Sequence, residues 1–264
     1  MRLAKSCNTK YHIKNGTLKL GTLHEYRLTE DKQIADAEEG VRRFNIYFKG
    51  PVKIPNVWLN TLFGGTFGFG NGEIHRFPGP VRSKVISLRQ NYTTDVFTEL
   101  GDSLAIVTRE THNCFIFCMS DVPTREEAIG IFPTYDDCWF ISKEQIETFG
   151  MEVSHLLREA IASGREAGNH IIPEKIDIER LIIGVEYGNV SYDSRDIGIG
   201  NNNLFCLDQL HKLLQDIEFT KPPTPFQKEK EFRFKFLLIS NDQIVPPLVN
   251  SIVLSSDRLL KFVE

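Results

Sequence analysis

Pro225-Phe226-Gln227-Lys228-Glu229-Lys230-Glu231-Phe232-Arg233-Phe234-Lys235-Phe236 passes from a charged, turn-like segment straight into a strand. From Glu231 the side chains alternate, with Glu231, Arg233 and Lys235 on one face and Phe232, Phe234 and Phe236 on the other. The Phe face is a core face. The opposite face sets Glu231 beside Arg233, and the same period places Glu229 in line with them if the strand starts that early. Two carboxylates and a guanidinium on one rigid edge can hold a ribose or stabilise a developing cation. The plainer reading of the same alternation is a half-exposed strand with cross-strand ion pairs.

The 264 residues include 31 Lys and Arg against 35 Asp and Glu, a formal charge of −4. That balance announces no polyanion partner, so a nucleic-acid site has to be a local patch. Forty-one per cent of the residues are apolar, enough for a sizeable core. The five cysteines (Cys7, Cys114, Cys118, Cys138, Cys206) are scattered and contain no Cys-x-x-Cys pair, the pattern of reduced, buried thiols. Cys114 and Cys118 share a strand face but find no second pair of zinc ligands, so no metal is expected. The first residues hold no apolar run of signal-peptide length. No segment approaches the roughly 20 apolar residues of a membrane helix. A cytoplasmic protein without membrane contact is expected.

Along the chain, residues 11–27 read as a strand or hairpin around the Asn15-Gly16 turn. Residues 28–40 are acidic and irregular. Residues 42–48 read as a strand, and Cys114-Phe115-Ile116-Phe117-Cys118-Met119-Ser120 as one buried on both faces. Residues 143–163 carry a helical stripe of Ile146, Phe149, Val153, Leu156, Leu157, Ala160 and Ile161, closed by Gly164. A strand follows over 181–187, a short helix over 207–217, a stiff Pro-rich connector over 220–225, and a last strand near 251–255. Many short strands with about two helices make an α+β protein, most simply a single domain over residues 1–264. Within it, residues 62–80 form a Gly/Phe-rich insertion that cannot be helical and fits neither a Walker loop nor a dinucleotide fingerprint. Phe67 and Phe69 with Arg76 can stack bases and meet phosphates there, or the Phe side chains can turn into the core.

A further constellation is Leu20-Gly21-Thr22-Leu23-His24-Glu25-Tyr26-Arg27, followed by Asp36-Ala37-Glu38-Glu39-Gly40. A His, a Tyr and an Arg at a strand end suit a phosphorylated aromatic ligand, Arg gripping pyrophosphate and Tyr offering a stacking face. The alternative is a surface strand end with scattered polar residues.

The order Leu-x-Leu-Gly-Thr-Leu-x-x-Tyr-Arg (residues 18–27), Asp36-x-x-Glu39-Gly40, a buried strand closing on Ser120, and Lys228-Glu229-x-Glu231-x-Arg233 resembles a bacterial domain family. That family is similar to the ADP-ribosyltransferases, in particular the DarT-like nucleic-acid-modifying toxins. The resemblance covers residues 11–40, 114–120 and 181–240. Ala37 stands where the family usually has Pro, and a Trp-x-x-Tyr-Ala segment is absent, Cys138-Trp139-Phe140 being the nearest stretch.

The resemblance implies split, mostly antiparallel sheets of ADP-ribosyltransferase type with a few flanking helices, NAD as co-substrate, and transfer of ADP-ribose to a nucleobase. Single-stranded nucleic acid suits that chemistry because a base in a duplex must first be extruded, and RNA is favoured over DNA. An antitoxin partner and a role in phage defence follow by analogy. By the same resemblance Glu231 stabilises the cationic ribose and Glu229 orients or deprotonates the acceptor. Arg27 grips pyrophosphate with His24 as the competing anchor, and Tyr26 stacks. Asp36 and Glu38 brace Arg27 or a ribose hydroxyl, Ser120 meets the nicotinamide side, and Arg233 holds the carboxylates ionised or touches a phosphate. A protein-modifying transferase, an NAD glycohydrolase and a non-catalytic nucleotide-binding module are the alternatives.

Overall fold

The computed structural model describes residues 2–264. In chain order the strands are β1 (Arg2–Cys7), β2 (Thr17–Thr22), β3 (Val41–Phe48), β4 (Val52–Pro55), β5 (Val81–Thr93), β6 (Phe97–Glu110), β7 (Phe115–Ser120) and β8 (Asp137–Ser142). They continue as β9 (Ile182–Asn189), β10 (Ser191–Tyr192), β11 (Asp196–Gly200), β12 (Thr220–Lys221), β13 (Glu231–Ser240), β14 (Gln243–Ile244) and β15 (Ser251–Ser255). The main helices are α1 (Leu23–Leu28), α2 (Asn56–Phe63), α3 (Arg125–Ile131), α4 (Ile146–Glu166) and α5 (Leu207–Gln215). The protein is α+β with mostly antiparallel sheets, and β11 pairs with β3 in parallel. The chain expected to read as one domain divides into two compact units. The first is residues 1–39, 113–192 and 223–264; the second is 40–112 and 193–222.

The first unit is built on an eight-stranded sheet whose middle is β13 beside β7. Glu231 to Phe236 lie opposite Ser120 to Phe115, so Phe232, Phe234 and Phe236 share a face with Met119, Phe117 and Phe115. The apolar stripe of α4 (Phe149, Val153, Leu157, Ile161) closes on that face. Burying each Phe is worth about 1.5–3 kcal/mol. The helix runs past Gly164 to Glu166, against the sequence expectation. Gly168, at φ 77°, is the first glycine to leave the helical region.

The other edge of β7 forks. β2 pairs with it only at Phe115 and Ile116, and β1 only at Ser120. Each diverging strand is held by its own outer partner, β1 by β8 along all six residues and β2 by β15 along five. The sheet therefore opens between them beside Phe117 and Cys118.

The second unit is a five-stranded sheet centred on β6. β3 and β4 share one edge of β6, and β5 runs along the other. Among the described residues no strand pairs with the outer edge of β5. α2 and α5 cover the opposite face through Trp58, Leu59, Leu62, Leu210 and Leu214. Leu62 and Phe63, expected in the non-helical insertion, finish α2. The rest is a loop in which packing demands glycine at Gly70 (φ +58°), where a Cβ would lie 2.3 Å from Asn56 Nδ2.

Candidate functional site

Glu231 opens β13. Its N–H donates to Tyr192 Oη (2.7 Å) and its carbonyl accepts from Val190 N–H (2.9 Å). Arg233, two residues on, donates from Nε to Glu231 Oε1 (2.7 Å) and from Nη1 to Glu39 Oε1 (2.8 Å). The three side chains are buried to 4%, 1% and 0% exposure for Glu231, Arg233 and Glu39. Burial alone would lower the basicity of Arg233; the carboxylates of Glu231 and Glu39 outweigh it and hold the guanidinium firmly protonated. Ser120 lies directly across from Glu231 in the β7–β13 register.

Glu229 does not share this line. It sits on a 3-10 turn, and Lys230, left-handed at φ 45°, reverses the chain before the strand begins. Reading the alternation back through Lys230 placed it wrongly. Arg233, expected also as a substrate contact, is enclosed by carboxylates and fully buried.

The second group rides on a helix and not on a strand end. Thr22 Oγ1 accepts from Glu25 N–H and caps α1, so Leu23 to Leu28 turn helical where the alternation had read as strand. The cap aims residues of α1 two ways. Arg27 Nε donates to the Glu39 carbonyl (2.6 Å), joining the buried triad. Tyr26 and Glu25 face the fork in the sheet. His24 is half-buried, with its N–H on Asn113 Oδ1. Asp36 is a turn former: its carbonyl accepts from Glu39 N–H and its carboxylate from Glu38 N–H. Glu39 is thus the member of the acidic segment that meets both arginines.

A cavity of about 530 Å³ fills the fork, within the roughly 300–1,000 Å³ range of small-molecule sites. Tyr11, Tyr26, Phe117, Tyr135 and Trp139 supply aromatic wall, Lys5 and Lys19 supply cations, and Glu25 and Asp31 supply carboxylates, Lys19 Nζ being paired with Glu25 Oε1. Lys5 Nζ donates to Cys118 O (2.8 Å), a carbonyl on the β7 edge where the sheet forks, and stands 4.9 Å from the centre of the Phe117 ring. Burial depresses the Lys5 ammonium below its usual range, opposed by Cys118, Cys7 and Glu231. Burial likewise pushes the Tyr26 phenol up, with Cys118 and Glu231 adding to the shift. Glu231 does not line the cavity, but Lys5 and Tyr26 do and both feel its charge. Lys5 was missed because β1 carries no periodic signal; only the fork gives its ammonium a role.

Phe67, Phe69 and Arg76 lie in the second unit. Phe69 is 1% exposed and Phe67 half-buried, and both rings pack with Phe63 at 5.0–5.8 Å. The base-stacking expectation for them gives way to core packing, since apolar rings on a loop bury when a helix offers them a partner. Arg76 is exposed.

No protein family, curated protein or solved structure matches this chain. Among the described residues no His/Cys/Asp/Glu group is arranged to hold a metal ion, and no helix is long and apolar enough to cross a membrane.

Proposed function

We propose that this chain is an ADP-ribosyltransferase that uses NAD, with the fork between β1 and β2 as its NAD cleft. One observation carries the reading: the aromatic cavity at the fork is lined by Lys5 and Tyr26, and both feel the charge of Glu231, a carboxylate held in place by Arg233. The donor set suits a dinucleotide, with flat rings for nicotinamide or adenine and Lys5 for phosphate charge. NAD supplies the nicotinamide–ribose bond that breaks, its electron pair leaving with nicotinamide while a new bond joins the ribose to the acceptor, which gives up a proton. Glu231, behind the cavity wall, lends negative potential to the site where positive charge grows on the ribose. Tyr26 packs on the ring of the leaving group, and Arg27 fixes the segment that carries Glu39. The acceptor follows the motif resemblance: a nucleobase in single-stranded nucleic acid, RNA before DNA, with an antitoxin restraining the activity.

The deep burial of Glu231 favours a second reading, a nucleotide-binding module in which that carboxylate is structural. Purified protein incubated with labelled NAD and, separately, RNA, single-stranded DNA and protein distinguishes them. Glu231→Gln is expected to cut nicotinamide release at least about 100-fold while NAD binding persists. Binding without turnover in the wild type selects the module. Label entering protein and no nucleic acid overturns the acceptor assignment.

A further inference from the structure

Glu39 is the most deeply buried carboxylate among the described residues and has no place in the sequence-level site. Its position is fixed from several directions. Its N–H donates to the Asp36 carbonyl (3.0 Å), Asp36 N–H donates to the Tyr26 carbonyl (2.9 Å), and the Glu39 carbonyl accepts from Arg27 Nε. Its carboxylate then takes one prong of the Arg233 fork while Glu231 takes another. Arginine's planar fork otherwise favours closing two-pronged on a single carboxylate. Resting on the transferase reading, the geometry points to Glu39 as a positioning residue that acts on Glu231 through Arg233. By claiming part of the guanidinium it lets Arg233 orient Glu231 without neutralising it.

The titratable and charged groups around Glu231 are Arg233 on its own strand, Lys230 and the buried Glu229 just before it, Glu39, Lys5 on β1, Tyr26 on α1, Cys118 on β7 and Tyr192 on β10, whose Oη accepts from Glu231 N–H. Removing the Glu39 charge takes away a like charge and leaves Arg233 to Glu231 alone. Both changes make Glu231 bind its proton less tightly, and for the same reason both make the potential that a cation meets beside it less negative. Glu39→Gln keeps an oxygen for Arg233 but no charge.

In nicotinamide release from NAD by the full chain, Glu39→Gln is expected to lower kcat about tenfold with KM for NAD within about twofold. The acid limb of kcat is expected to move down by about one pH unit. Carbon-13 titration of the Glu231 carboxyl, assigned by its loss in Glu231→Gln, reads the same coupling without substrate, its midpoint moving to lower pH in Glu39→Gln. Wild-type turnover with kcat and acid limb unchanged in Glu39→Gln overturns the positioning role alone. A silent wild type with a shifted Glu231 midpoint overturns the transferase reading and leaves the coupling standing. An unshifted midpoint overturns the coupling. Glu39→Asp, which keeps the charge and withdraws it by one methylene, carries the test if Glu39→Gln does not fold: kcat between wild type and Glu231→Gln supports the role, and wild-type kcat overturns it.

Discussion

At Arg233 a full positive charge sits 1% exposed in the middle of a sheet, which is tolerable only because Glu231 and Glu39 both accept from it. Breaking such a set is far worse than replacing it, since each remaining charge loses both water and partner. Arg233→Met is expected to cost about 3–5 kcal/mol, read as a lowered urea midpoint. The triple change to Glu39→Gln, Arg233→Met and Glu231→Gln is expected to recover most of that loss. If the triple variant is no more stable than Arg233→Met alone, the cost lies in packing of the long side chain and not in charge. The sequence showed Glu231 and Arg233 as neighbours, because a two-residue period needs only the strand. It could not show Glu39, which reaches them across 194 residues.

Elements with a local pattern of their own were legible: β3, β7, β9, β13, β15 and α4 stand where alternation, a continuous apolar run or a helical stripe placed them, within a few residues. α1 was not, because Leu18 to Leu23 alternates into it and the switch rests on one hydroxyl, Thr22 Oγ1. Thr22→Ala is expected to cost about 1 kcal/mol and to loosen α1, which under the proposed transferase reading weakens NAD binding through Tyr26. Equal NAD affinity in that variant detaches α1 from the cleft. β5 escaped notice for a different reason: it has no buried residue, so it lacks the apolar face on which strand reading depends. The fork itself is a matter of register between β7, β1 and β2, and register across distant segments leaves no mark on any one of them.

Across the whole molecule the chain passes between its two units after residues 39, 112, 192 and 222, so neither unit is a continuous stretch. The first unit also carries the alkaline weakness of the fold. Burial pushes the Cys7 thiol up to about 11 from an ordinary 9.0, helped by Asp137 and opposed by Lys5. The folded chain keeps that proton where the unfolded chain releases it. The stability it contributes is whole below pH 9 and drains away as pH climbs towards 11. Cys7→Ala is expected to flatten the fall of the urea midpoint across that interval; an unchanged slope moves the effect to other groups. β5, finally, bears on how this protein shares a solution with itself. Among the described residues the outer edge of its thirteen residues pairs with no strand and invites a second copy; Lys84 and Arg89, with Arg82 held by Glu110 (2.7 Å) and no acid on the strand itself, make approaching copies repel. That repulsion reaches about 10 Å at 0.1 M salt and about 3 Å at 1 M. Dilute buffer therefore keeps two such edges apart, and concentrated salt removes the guard.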